Sequence, residues 1–260
     1  MNLPTPNKLA ITQGLSWISR SFSLFGKGAG IWIVMLLLFV GINLGLTMVP
    51  FLELLPTVLA PGFTVGFYIG CRAIQKGEML QIDYLFHGFK QKGRLLIRLG
   101  LFFFLWNIVI YLITSLFLQM NLTDEQARLL SAAQTQEQMA KLLTDDPALM
   151  STILNAALVA IIMTIPLIMA SWFSPALVAF HEVPPLKAMT LSLKAFNRNL
   201  LPFVLYFLIM LPLTVLAFIP LALGLLIILP VIIISQYVSY QAVFPSPTEQ
   251  DDEPQSIITL

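Results

Sequence analysis

The sequence predicts an all-α polytopic membrane helical bundle, with six transmembrane helices behind an N-terminal interfacial amphipathic helix. Three observations carry that class. Of 260 residues, 58% are hydrophobic and 10% charged, against about 25% charged in soluble domains. Apolar runs of about 20 residues recur, enough to cross a ~30 Å hydrocarbon core at ~1.5 Å per residue. The ~10-residue stretches of alternating polarity that a β-barrel requires are absent. Cys71 stands alone, which excludes an internal disulfide framework. His87 and His181 are the two histidines, and they leave little for a metal site. A net charge of +1 implies no bulk electrostatic partner such as nucleic acid. No cofactor is expected.

Taken in order, residues 1 to 7 hold Pro4 and Pro6 and read as a loose start. Ile11, Leu15, Ile18, Phe22 and Phe25 recur at helical spacing with Gln13, Ser16, Ser19, Arg20 and Ser23 between them. That is a helix lying in the headgroup plane. Its apolar residues form a stripe rather than a block, and no small-x-small cleavage site follows, which argues against a signal peptide. The domains are then 1–28, a cytoplasmic N-terminus with this helix; 29–244, the membrane domain; and 245–260, an acidic, proline-bearing tail read as disordered and cytoplasmic. The spans fall at about 29–50, 54–75, 95–118, 149–180, 200–219 and 221–244. The fourth is read as broken by Pro166 and Pro175, and Pro212 and Pro230 as kinking the fifth and sixth. The outer loop 119–148 contains Thr123-Asp124-Glu125, a helix start.

Orientation follows from Lys and Arg. With the N-terminus inside, twelve of them lie on the cytoplasmic side and only Arg128 and Lys141 outside. Both termini are therefore expected in the cytoplasm, in a multi-pass protein of the bacterial inner membrane. The basic inner loops are expected to meet the bilayer's anionic headgroups.

An internal repeat is visible. Span two, its inner loop and span three resemble span four, its loop and span five. Pro61-Gly62-Phe63 pairs in depth with Pro175-Ala176-Leu177, and Phe89-Lys90-Gln91-Lys92 with Phe196-Asn197-Arg198-Asn199. Both copies run in the same direction, so the repeat would be parallel.

Gly62, Gly66 and Gly70 recur every fourth position in PGFTVGFYIG, and Gly41 and Gly45 lie in GINLG. Helices in lipid gain little from hydrophobic exclusion and associate where small residues let backbones approach. The simplest reading packs spans one and two through these faces. A homodimer or membrane-protein partner face, or a ligand groove, are the other readings of the same stripe.

Ionised groups at mid-depth are costly and usually functional, and none is expected here. The buried polar residues are neutral. Asn107, Tyr111 and Ser115 share one helical face and, with Gln236, make a candidate polar path; interhelical hydrogen bonding is the plainer reading. No HExxH, GxGD, GxSxG or Gly-rich phosphate loop occurs, so the chain is read as no enzyme. Asp83 beside His87 reads as a solvated helix face.

The stretches WFSPALVAFHEVPPLKAMTLSLKAFNRNLLPF (172–203) and APGFTVGFYIGCRAIQKGE (60–78) resemble a group of uncharacterised six-span proteins of the proteobacterial inner membrane. The first is also similar to YciC-like proteins and to the membrane domain attached to some glycerophosphodiester phosphodiesterases. The shared pattern is small-Pro-Ala/Gly in the inner half of a span, then Ala188, Ser192 and Ala195-Phe196, then Asn199 before the next span. The likeness covers most of residues 8 to 244. It implies fold and location and supplies no catalytic residue. The chain has no soluble phosphodiesterase domain, so that activity is not carried over.

The leading expectation is a non-catalytic envelope-structural or partner-binding module. The alternative is a transporter or exporter of a small or lipid-like solute. A third reading, an enzyme on lipid headgroups, would use Asp83, His87, His181 or Glu182.

Overall fold

The computed structural model describes residues 3–244. The acidic tail lies outside the described residues. Ten helices and no strand are found among them: α1 (Gln13–Gly26), α2 (Ala29–Thr47), α3 (Leu55–Gln75), α4 (Tyr84–Asn121), α5 (Asp124–Ala132), α6 (Gln136–Asp145), α7 (Pro147–Phe180), α8 (Pro185–Arg198), α9 (Leu200–Leu216) and α10 (Leu225–Val243). Helices α2, α3, α4, α7 and α10 are each long and apolar enough to cross a membrane. Helices α8 and α9, bent by 83° where they meet, pass the same test only when taken together, giving five to six candidate spans. The chain is a polytopic helical membrane protein.

It divides into two compact units. One holds the chain up to Phe102 and from Met169 onward; the other is Phe103–Ile168.

In the first unit, α1 packs on α9 and α10. The stripe expected to act as one face is split. Ile18 and Phe25 are buried with Gly14, Trp17, Ser21 and Leu24, whereas Ile11, Leu15 and Phe22 are exposed. Gly14 explains the close crossing, because a Cβ there would lie 2.3 Å from the Pro202 carbonyl oxygen. The start of the chain is not loose where it is described. Asn7 N–H donates to the Val243 carbonyl at 2.9 Å and Leu9 N–H to Asn199 Oδ1 at 2.8 Å. Asn199 Nδ2 donates in return to the Asn7 carbonyl at 2.8 Å.

The first turns of α4 and the helix α8 join the spans that follow them through sharp bends rather than loops. Within α4 the backbone leaves helical geometry at Lys92 (φ −136°, ψ 26°), and between α8 and α9 it does so at Asn199 (φ −117°, ψ 31°). One constant shift along the chain carries Gly66, Leu85 and Lys92 onto Phe173, Ser192 and Asn199. Gly66 and Leu85 touch, as do Phe173 and Ser192. The same shift carries buried Leu96 and Leu99 onto buried Phe203 and Tyr206. It aligns Phe89 with Phe196, as the sequence suggests. It does not align Pro61 with Pro175, whose spacing is two helical turns longer.

Helix α7 runs unbroken through Pro166 and Pro175, and Pro212 and Pro230 lie inside α9 and α10. Between those two helices Leu221 (φ 52°) and Ala222 (φ 63°) take the left-handed conformation. Gly224 closes that turn: a Cβ would meet Ala217 Cα at 2.6 Å.

In the second unit, α5 and α6 each begin with a capping box. Thr123 and Thr135 accept from the backbone of Gln126 and Gln138, whose side chains reach back. The 119–148 loop therefore holds two helices where the sequence signalled one.

Candidate functional site

The glycine stripe of α3 is filled mainly by its own repeat. A Cβ at Gly66 would lie 2.3 Å from the Leu85 carbonyl oxygen, and one at Gly62 would lie 2.3 Å from the Phe89 ring. From the other side, a Cβ at Gly88 would strike the Gly62 carbonyl at 2.2 Å. Only Gly70 meets α2, through Trp32 at 2.9 Å, together with Leu80 at 2.7 Å. Gly41 and Gly45 have no described neighbour within 4 Å of such a Cβ. The expected glycine-to-glycine packing of spans one and two is thus replaced by aromatic packing. Trp32 stacks on Phe67 at 5.9 Å, and Phe39 meets Phe63 edge-on at 5.5 Å.

The second copy solves the same crossing differently. Ser192 Oγ donates to the Met169 carbonyl at 2.7 Å and accepts from Phe173 N–H at 3.0 Å. Those two backbone groups are the pair that one helical turn would otherwise join. The hydroxyl of α8, fully buried, lies against that rung of α7.

Polar groups along α10 each find a partner on another helix. Tyr68 O–H donates to Gln236 Oε1 at 2.9 Å. Trp172 Nε1–H donates to Ser239 Oγ at 3.0 Å, and the hydroxyls of Tyr206 and Ser235 share a hydrogen bond. Gln75 and Gln241 exchange amide hydrogen bonds at 2.8 and 3.0 Å. Tyr237 O–H donates to Gln75 Oε1 at 3.3 Å. At the end of this row Tyr240 O–H and His181 Nδ1 lie 2.7 Å apart. Burial of His181 holds its pKa below the usual value, because the charged form loses hydration.

The candidate path residues are distributed over both units. Gln236 belongs to the row just described. Asn107, Tyr111 and Ser115 belong to the second unit. There Asn107 Nδ2 donates to the Phe103 carbonyl at 2.9 Å and Ser115 Oγ to the Leu112 carbonyl at 3.0 Å. Tyr111 is 71% exposed.

The four residues of the enzyme reading pair off separately. His87 turns back on Asp83, in the turn just before α4, with Nδ1 lying 3.1 Å from the carbonyl oxygen. His181 takes Tyr240. Glu182, at φ 55°, forms an ion pair with Lys92. The Lys92 hydrogen bond and charge hold the Glu182 carboxyl below its ordinary pKa. No group of three or more His, Cys, Asp or Glu able to hold a metal occurs among the described residues.

Sequence reasoning reached Ser192 through a resemblance and Asn199 through that resemblance and the internal repeat, and gave neither a role. Comparing the copies gives no signal for Ser192, since its counterpart is Leu85; a polar residue on the apolar face of α8 is what marks it.

No family model matches the chain. No solved structure matches it. A curated relative, a probable inner membrane protein of Burkholderia thailandensis, is 26% identical over 205 residues, covering 76% of this chain and 72% of the relative.

Proposed function

We propose that this chain is a multi-pass inner-membrane protein without catalysis of its own, serving as a structural or partner-binding module of the envelope. The inner-membrane location is supported by the Burkholderia relative's name together with the apolar helices. The distribution of Lys and Arg supports both termini facing the cytoplasm. The finer likeness to YciC-like proteins and phosphodiesterase membrane domains rests on residues 172–203 alone.

One observation carries the functional reading. Gln236, the one candidate path residue on α10, is paired to Tyr68, and its neighbours Ser235 and Ser239 are paired to Tyr206 and Trp172. A coupled transporter normally spends such groups, or an ionised one, on its cargo. Paired groups instead hold helices together, each contributing about 0.5–2 kcal/mol in a membrane.

The test is cross-linking in native membranes followed by extraction in mild detergent. A membrane protein recovered in fixed stoichiometry is the expected result. Recovery of the chain alone, with solute uptake into liposomes that depends on Gln236, would overturn the reading.

A further inference from the structure

Helix α1 presents three faces. Gly14, Trp17, Ser21, Leu24 and Phe25 are buried, Ile11, Leu15 and Phe22 form an exposed apolar stripe, and Ser19, Arg20 and Ser23 form an exposed polar one. A helix with one exposed face apolar and the next polar lies where hydrocarbon gives way to headgroups. Beside the polar stripe is a cleft of about 280 Å³, lined by Arg20, Ser23, Leu24, Gln75, Val238 and Gln241.

Counting donors shows what the cleft can take. The Arg20 guanidinium carries five N–H groups and, among the described residues, no carboxylate or carbonyl partner. The Ser23 hydroxyl is likewise unengaged there. Gln75 gives one of its two amide hydrogens to Gln241, and its oxygen already accepts from Tyr237 and Gln241. What remains open toward the cleft is donors with one full positive charge, beside an aliphatic wall from Leu24 and Val238. No Asp or Glu lines it.

We propose that this cleft binds the phosphodiester of an anionic phospholipid, with the Arg20 fork and Ser23 hydroxyl on the phosphate oxygens and the acyl chains leaving past the aliphatic wall of Leu24 and Val238. A planar guanidinium matches two phosphate oxygens at once, which a lysine cannot do. That aliphatic wall, on a helix whose other exposed edge is apolar, makes the occupant a lipid rather than a free phosphate. The inference rests on the reading that this end of the protein meets anionic headgroups, and it adds the residues that select them.

The experiment uses the full chain in a neutral detergent. Thermal unfolding is followed by tryptophan fluorescence while phosphatidylglycerol, phosphatidylcholine or glycerol phosphate is added. Phosphatidylglycerol should raise the Tm, and the other two should not. Arg20→Gln should need about tenfold more phosphatidylglycerol for half the effect, as expected for one lost charge-assisted contact. Arg20→Lys should fall between the two, and Arg128→Gln, an exposed cation of the outer loop and outside the cleft, should match the wild type. An undiminished response in Arg20→Gln, an equal loss in Arg128→Gln, or the same shift from phosphatidylcholine or glycerol phosphate would overturn the site. Detergent removes sidedness, so failure here leaves the topology and the scaffold reading standing. An error in topology would appear in labelling of intact cells and leave this lipid response unchanged.

Discussion

At the scale of single residues, what matters is whether a small side chain meets a backbone or empty space. Gly66 faces the Leu85 carbonyl oxygen, which cannot rotate away. Gly66→Leu is expected to cost about 3 kcal/mol or more, the upper range of overpacking, read as a lower unfolding temperature in detergent. Gly41→Leu, with open space around it, should change stability by less than about 0.5 kcal/mol. The sequence marked both glycines by the same four-residue spacing and could not separate them, because spacing along one helix does not say which helix lies opposite. His181 supplies a pH test. Its folded pKa is depressed, so the folded protein binds fewer protons than the unfolded chain. Stability is therefore full above about pH 6.5, the group's ordinary value, and falls as pH drops through the lowered one. His181→Phe should flatten that slope in a denaturation series. The further loss from Glu182 begins lower, below its ordinary 4.5, and should persist.

At the scale of elements, each copy of the repeat docks a short amphipathic helix against the preceding span and then bends. The first copy achieves contact by removing side chains at Gly62, Gly66 and Gly88, the second by hydrogen-bonding the Ser192 hydroxyl to the Met169 and Phe173 backbone of α7. Ser192→Ala should cost only about 1 kcal/mol, since the Met169 carbonyl and Phe173 N–H are the partners of one helical turn. Ser192→Leu should prevent docking of α8 and lower folded yield sharply. The Phe89–Phe196 correspondence was legible in the sequence. The register at Pro61 and Pro175 was not, because proline was read as a landmark while both helices pass through it intact. The three faces of α1 were also hidden. Its buried side is built on Gly14 and Ser21, residues that hydropathy counts as neutral or polar, and they become interior because α9 crosses there.

At the scale of the molecule, the all-helical membrane character, with five to six candidate spans, was legible from composition and run length, since lipid forces every backbone group to be satisfied within a helix. The pairing of interior polar groups was not, since Gln236 or Ser239 reads the same in a wet path as in a closed interface. The central claim is that these groups are spent on one another and leave no water around them. Cys71 is a native probe of that claim. It lies on α3 between Tyr68 and Gln75, fully buried. The most direct measurement is its labelling rate with a small, water-soluble maleimide, in intact cells and in inverted membrane vesicles. Labelling at least about a hundredfold slower than in denaturant, from both sides, is the expected result, as burial of the thiol and exclusion of water require. Rapid labelling of the folded protein from either side would place water beside α3 and contradict the closed interior.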